Sequence, residues 1–408
     1  NERFGQSVSA WFKYVAVGSP MDELSISEKK QGYAAIFKYD ESLGQHRLIK
    51  KFISPQSQDG LAIEFGHDNN LLLELENNAF FGLEHSGSYM DGFGYSVSVR
   101  DNFMAVGAPT GAACFASGSN DGFVYVYDRF KGGSDNWGLI NVLQGASEGD
   151  RFGNAVSLDR DVLAIGAPGV SGSKGEVYIF RLKRFMDSTN PCRSIETASF
   201  FYQINQCGLP ATDTFGDILY TSTNTPSFVS GNYSWEYEAT LRPSNLQTGD
   251  NFGWVLEANN DRVIVGNRKT NGNGYATLFA CNYISASIGG CPTASWVESS
   301  TFVADETLGD LDQTDPQYSV QSTLSYDGFG WSVAMNGSNM LIGSYYDMGF
   351  LPYDGATSSL VNIMGAVYFY HQHGICTPPT ESFYQTQKTF GDLTHTSSTN
   401  FGRKVSVD

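Results

Sequence analysis

An all-β fold is what this sequence predicts, and three observations carry that prediction. The phrase "DGFGYSVSVRDNFMAVGAPT" at 91–110 returns as "GDRFGNAVSLDRDVLAIGAPGV" at 149–170 and as "DGFGWSVAMNGSNMLIGSYY" at 327–346. A repeat of tens of residues fixes the architecture before any single site is read. The composition, with 45 glycines, 14% aromatic and only 17% charged residues, is that of a turn-rich β chain poor in the residues that build helices. No convincing amphipathic helix period is present.

Each element of the repeat follows from its residues. Phe93, Tyr95, Val97 and Val99 alternate with Gly94, Ser96 and Ser98, which predicts a strand with bulky groups on one face and a closely approached opposite face. Arg100, Asp101 and Asn102 make a polar turn, and Phe103 to Val106 returns as a second strand ended by Gly107-Ala108-Pro109. A third strand begins at a glycine in most copies: "GYAAIFKYD" from Gly32, "GFVYVYD" from Gly122, "GEVYIF" from Gly175, "GYATLFA" from Gly274 and "GAVYFYH" from Gly365. A more polar segment with an apolar anchor, such as "WGLINVLQG" or "YEATLRPSN", supplies a fourth, outer strand. Four antiparallel strands per unit, with small residues on the inner pair, predict the blade of a β-propeller. The glycine of each Phe-Gly pair lets neighbouring backbones approach and its Phe fills the wedge between blades, so the repeated residues read as packing, not as a site.

Clear Phe-Gly pairs start at Phe4, Phe93, Phe152, Phe252, Phe329 and Phe401. Two of the intervals are too long for one blade, and "DGLAIEFGHDNNLLLEL" from Asp59 and "TFGDILYTS" from Thr214 read there as weak copies. Counting both gives a single seven-bladed propeller over residues 1–408, with two degenerate blades, long insertions and units starting near 4, 61, 93, 152, 215, 252 and 329. The Phe-Gly at 401 is then an extra first strand, and the opening "NERFG" already lies inside a repeat. The expectation is a processed or partial chain that continues past Asp408.

The net charge of -18 argues against nucleic acid and against an anionic membrane surface, both of which call for clustered Lys and Arg. No apolar run is long enough to span a bilayer. Six cysteines, an even count, include the close pairs Cys192 with Cys207 and Cys281 with Cys291, which read as disulfides of an extracellular or cell-surface protein. Cys114 and Cys376 remain, to be joined at distance or to pair elsewhere. The sequons at Asn232 and Asn336 agree with secretion and are the candidate glycosylation sites.

With its Phe-Gly, Gly-Ala-Pro and Gly-x-Val-Tyr-x-Phe or Tyr elements, strongest over residues 91–180, the sequence resembles the FG-GAP repeat proteins. That group includes the integrin α-subunit propeller, and the Asp-x-Phe-Gly-x-x-Val form is closer to the non-integrin surface and secreted branch. The resemblance implies a propeller that presents loops to partners in adhesion or assembly. Integrin-like copies often carry a calcium loop, Asp-x-Asp-x-Asp-Gly, which is absent from this sequence.

Candidate chemistry is sparse. Asp310, Asp312 and Asp315 in "GDLDQTDPQ" are the candidate calcium ligands, but the loop glycine and a distal carboxylate are missing, and the residues favour a solvated acidic insertion over a calcium site. His371 and His373 stand two apart at a strand end, a spacing that suits a transition metal, without a third ligand in view. Gly-x-Ser-x-Gly, His-Glu-x-x-His and phosphate-loop patterns are absent. The expected function is therefore a non-catalytic extracellular module without a cofactor, calcium excepted, that binds protein or glycan or assembles with itself through the insertions between blades. The alternative is a hydrolase or lyase with carboxylates meeting across blades, or with a catalytic domain outside these residues.

Overall fold

The structure is a computed structural model that describes residues 3–23, 30–54, 92–110, 122–184, 233–259, 262–269, 274–283, 294–304, 328–345, 365–373, 382–390 and 401–407. The chain divides into two compact units, Asn1–Gly153 and Asn154–Asp408. Five four-stranded antiparallel sheets stand among the described residues, each built from strands consecutive in the chain.

The first unit holds two of them. Blade 1 comprises β1 (Ser7–Trp11), β2 (Tyr14–Glu23), β3 (Lys30–Asp40) and β4 (Gln45–Ile53). Blade 2 comprises β5 (Ser96–Arg100), β6 (Phe103–Ala108), β7 (Phe123–Asp128) and β8 (Gly138–Gln144). The second unit holds three. Blade 3 has β9 (Ala155–Asp159), β10 (Val162–Ala167), β11 (Glu176–Arg184) and β12 (Tyr233–Leu241). Blade 4 has β13 (Phe252–Asn259), β14 (Arg262–Asn267), β15 (Tyr275–Tyr283) and β16 (Ala294–Val303). Blade 5 has β17 (Phe329–Asn336), β18 (Asn339–Ser344), β19 (Ala366–His373) and β20 (Ser382–Phe390). This is the all-β, four-strand blade architecture that the repeat predicts, and Ser96 to Val99 are buried on both faces of β5 as the alternation requires.

One contact recurs between successive blades. Gly94 adopts φ +86°, in the left-handed region where a side chain is strained, and its carbonyl oxygen lies against Gly18 of the preceding blade. Within each unit the same meeting joins Gly107 with Gly153, Gly166 with Gly253, Gly266 with Gly330 and Gly343 with Gly402. A Cβ built on Gly107 would stand 2.1 Å from the Gly153 oxygen, so bulk is excluded there. The serine two residues after the glycine completes the joint: Ser7 Oγ donates to Gly94 O at 3.0 Å, Ser96 Oγ to Gly153 O at 2.8 Å and Ser332 Oγ to Gly402 O at 2.8 Å. Phe93, Phe152, Phe252 and Phe329 are fully buried beside these joints.

These contacts make blades 1 and 2 immediate neighbours, and likewise blades 3 and 4. The weak copies near 61 and 215 lie outside the described residues, and residues 185–232 stand in the chain between β11 and β12, which pair in one sheet. What residues 55–91 and 185–232 form lies outside the described residues. Each blade also carries a register shift between its third and fourth strands, at Ile36/Phe37, Val126/Tyr127, Ile179/Phe180, Leu278/Phe279 and Phe369/Tyr370. A bulge at the same place in every blade bends the third strand and adds twist to its sheet.

In the first unit the β7–β8 loop, residues 129–137, folds over blade 1. Asp135 accepts hydrogen bonds from Tyr14 Oη and Lys38 Nζ, both at 2.7 Å, and from Arg129 Nε at 2.8 Å. Trp137 is fully buried and meets the Tyr14 ring edge-on, with centroids 5.5 Å apart. Half-buried Asp135 would ordinarily be harder to ionise, but these donors and the charges of Arg129 and Lys38 outweigh burial and hold its carboxyl below the usual range.

Candidate functional site: an aromatic and arginine ladder on blades 4 and 5

In the second unit, the positions at which blades 4 and 5 leave the repeat pattern come together. The residue after Phe-Gly, Tyr95 or Asn154 in blades 2 and 3, is Trp254 in blade 4 and Trp331 in blade 5. The proline of Gly-Ala-Pro, Pro109 and Pro168 in blades 2 and 3, is replaced by Arg268 and Tyr345. Packing fixes the neighbouring glycines but asks nothing specific of these positions, so their side chains are available for another task.

The Arg268 guanidinium carbon lies 4.7 Å from the centre of the Trp254 indole and 4.1 Å from that of Trp331. The Trp331 and Tyr345 rings follow at 4.8 Å, and Arg403, the residue after the Phe-Gly at 401, has its guanidinium carbon 5.8 Å from the Tyr345 ring. Trp254, Arg268, Trp331 and Tyr345 are half-buried and Arg403 is exposed. Such stacking is favourable because the ring quadrupole attracts the cation, more strongly where water is partly excluded. It leaves the in-plane N–H groups of each guanidinium pointing outward as donors. No carboxylate among the described residues pairs with Arg268 or Arg403, although the chain has 43 acidic against 25 basic residues.

The rungs are held from beneath. In blades 4 and 5 the first strand pair skips register between Phe252 and Val255 and between Phe329 and Ser332, which takes the two tryptophans out of the ladder of backbone bonds. Asn251 Nδ2 donates to Arg268 O at 3.0 Å, and Asn154 Nδ2 to Trp254 O at 2.9 Å. Next to Arg268, Lys269 Nζ lies 3.7 Å from Oδ1 of the buried Asp250, whose Oδ2 accepts from Tyr275 Oη at 2.9 Å. Burial, followed by the Asp250 hydrogen bond and charge, raises the Tyr275 pKa, so that phenol stays a donor.

The residues singled out in the sequence fall elsewhere. Asp310, Asp312, Asp315, Cys192, Cys207, Cys291, Asn232, Cys114 and Cys376 lie outside the described residues. Cys281, expected in a disulfide with Cys291, is a thiol buried on β15, where its sulfur accepts a hydrogen bond from Arg181 Nη2 at 3.8 Å, in a network in which Arg181 also binds Asp161 and Glu238 and Trp296 Nε1 donates to Glu238 at 2.7 Å. Asn336 is exposed at the head of the β17–β18 turn. His371 Nδ1 is 2.9 Å from Asn339 Oδ1. Among the described residues no three His, Cys, Asp or Glu side chains converge as a metal site, and no helix is long and apolar enough to cross a membrane.

Blades of four antiparallel strands joined through paired glycines define a repeat protein of the β-propeller class. Three stretches of the chain, residues 85–127, 143–180 and 323–368, match the model of the FG-GAP repeat. None of the curated proteins matches the chain significantly. Among solved structures it is similar to Kluyveromyces lactis Hsv2, with 10% identity over 73% of this chain and 62% of that one and a TM-score of 0.33. The chain thus spans less than two thirds of the length of Hsv2. It is also similar to Chaetomium thermophilum Sqt1, with 12% identity over 90% of this chain and 68% of that one and a TM-score of 0.30. Sqt1 bound to the N-terminus of the ribosomal protein L10 aligns with 12% identity over 90% of this chain and 71% of that one, with a TM-score of 0.31.

Proposed function

We propose that this chain is a non-catalytic binding module, a propeller-class scaffold of an extracellular or cell-surface protein that works in adhesion or assembly by holding a protein partner. The ladder Trp254–Arg268–Trp331–Tyr345–Arg403 is the observation that carries this reading. It consists entirely of Trp, Tyr and Arg, the residue types that dominate binding energy at protein interfaces. It stands on rigid blade edges, where side chains keep their geometry, and it lies where the repeat departs from packing. The even count of six cysteines, together with the exposed sequon at Asn336, supports an extracellular address.

The test is to replace Trp254 and Trp331 together by alanine in the full chain. Partner capture or self-assembly, read by cross-linking in native material, should fall by more than about tenfold, while the thermal unfolding profile of the first unit stays unchanged. A double variant that assembles as wild type would remove the ladder from the contact surface.

A further inference from the structure

We infer that the ladder recognises an acidic peptide segment of a partner protein, with carboxylates received edge-on by Arg268 and Arg403 and the intervening residues laid on the Trp331 and Tyr345 rings. This rests on the reading of the ladder as a contact surface and names the chemistry of what it contacts.

The geometry of Arg268 selects the ligand. The Trp254 and Trp331 indoles lie against its guanidinium, with the guanidinium carbon 4.7 and 4.1 Å from their ring centres, which leaves the N–H fork as the part that a ligand can pair with. A planar fork of donors matches the two oxygens of a carboxylate, and stacking holds it ready so that little side-chain freedom is lost on binding. Arg403 presents a second guanidinium at the far end of the Tyr345 ring. Among the described residues neither arginine has an ion pair, in a chain rich in carboxylates, so each offers a cation to a ligand anion.

The net charge of -18 does not oppose such a ligand at contact range, because at physiological salt charges more than about 8 Å away are screened. It does oppose a long polyanion that would track across the acidic remainder of the surface, which favours a short segment. A peptide fits the middle of the ladder, since aromatic floors accept extended, proline-containing chains and arginine clusters read acidic motifs.

The experiment is fluorescence anisotropy on the full chain with a labelled peptide of alternating Glu and Pro, its Gln-Pro counterpart, and polygalacturonate as competitor, at about 0.15 M salt. The Glu peptide should bind, and the Gln peptide should bind at least about tenfold more weakly. R268Q and R403Q should each weaken the Glu peptide by about tenfold, and R403K, which keeps the charge but loses the fork, by an intermediate amount. Arg47→Gln, an exposed arginine of blade 1 that pairs with Asp40, should change nothing. Because Arg268 is packed between two rings, exposed Arg403 is the variant that tests recognition independently of folding. Equal binding of the Gln peptide, wild-type binding by R403Q, or no binding of the Glu peptide would overturn the inference. Tighter binding of polygalacturonate would replace the peptide by an anionic glycan. If the Trp254 and Trp331 double variant loses its partner while the Glu peptide fails to bind, only the ligand chemistry is wrong; if that variant keeps its partner, the contact surface itself is wrong.

Discussion

Asp128 ends β7 and is 5% exposed, with Oδ1 accepting the Phe130 N–H at 3.0 Å. Burial is the largest influence on it and pushes its pKa from 3.8 to about 6, against the Phe130 hydrogen bond and the charges of Lys131 and Arg129, which pull it down. The folded carboxyl therefore keeps its proton to about pH 6, while the unfolded one releases it near 3.8. Stability is lost as pH rises through that window and the cost is constant above it. A rise of this size corresponds to about 3 kcal/mol. Asp128→Asn keeps the acceptor for Phe130 and removes the charge, so the stability difference between variant and wild type should shift in favour of the variant by about 2 kcal/mol between pH 4 and pH 7.5. Urea unfolding of both proteins at the two pH values measures that shift, and any fixed cost of burying the amide cancels in the comparison. A difference that does not change with pH would refute the argument, as would a shift in favour of aspartate at the higher pH.

The other expectations are narrower. Gly107→Ala places a methyl 2.1 Å from the Gly153 oxygen and should destabilise the first unit by more than about 2 kcal/mol in chemical denaturation, whereas Ser96→Ala, which loses only one hydrogen bond to that oxygen, should cost about 1 kcal/mol. Asp135→Asn should loosen the loop at 129–137 and make it a site of limited proteolysis; in wild type the same loosening should appear as pH falls below the usual carboxylate range, because the low folded pKa gives stability that is lost on acidification. Glycopeptide mass spectrometry of native material should find Asn336 occupied, and non-reducing peptide mapping should join Cys192 to Cys207. Bare Asn336 and unpaired cysteines would together withdraw the extracellular assignment.

The blades were legible in the sequence because their signals are local and repeated. Alternation at 93–99, the polar turn before Phe103 and a glycine opening each third strand are read within a few residues, and the structure has each of them. The sequence of one blade does not say which elements are neighbours across blades, nor that β11 and β12, on either side of residues 185–232, pair in one sheet. The loop at 129–137 is a comparable case: "RFKGGSDNW" has turn composition, and only the fold brings Asp135 to Tyr14 and Lys38. The candidate ligands at 310–315 were noticed because acidic clusters stand out locally, whereas the ladder is invisible locally, being one residue from each of five separate places.

The ladder could nevertheless have been found from the repeat itself, by asking where copies differ instead of where they agree. Each blade joint sets the glycine of a Phe-Gly pair against the glycine of the Gly-Ala-Pro position one blade earlier. That contact is a ruler: the residue after the first glycine must lie beside the residue two after the second. Gly330 on Gly266 brings Trp331 to Arg268, and Gly402 on Gly343 brings Arg403 to Tyr345. The same offsets place Tyr95 by Pro20 and Trp254 by Pro168, where proline adds no charge and makes no stack with a guanidinium. The invariant glycines thus do two jobs at once. They close the packing between blades, and they turn substitutions about sixty residues apart in the chain into adjacent rungs, so that a surface for binding is written at the positions packing leaves unassigned.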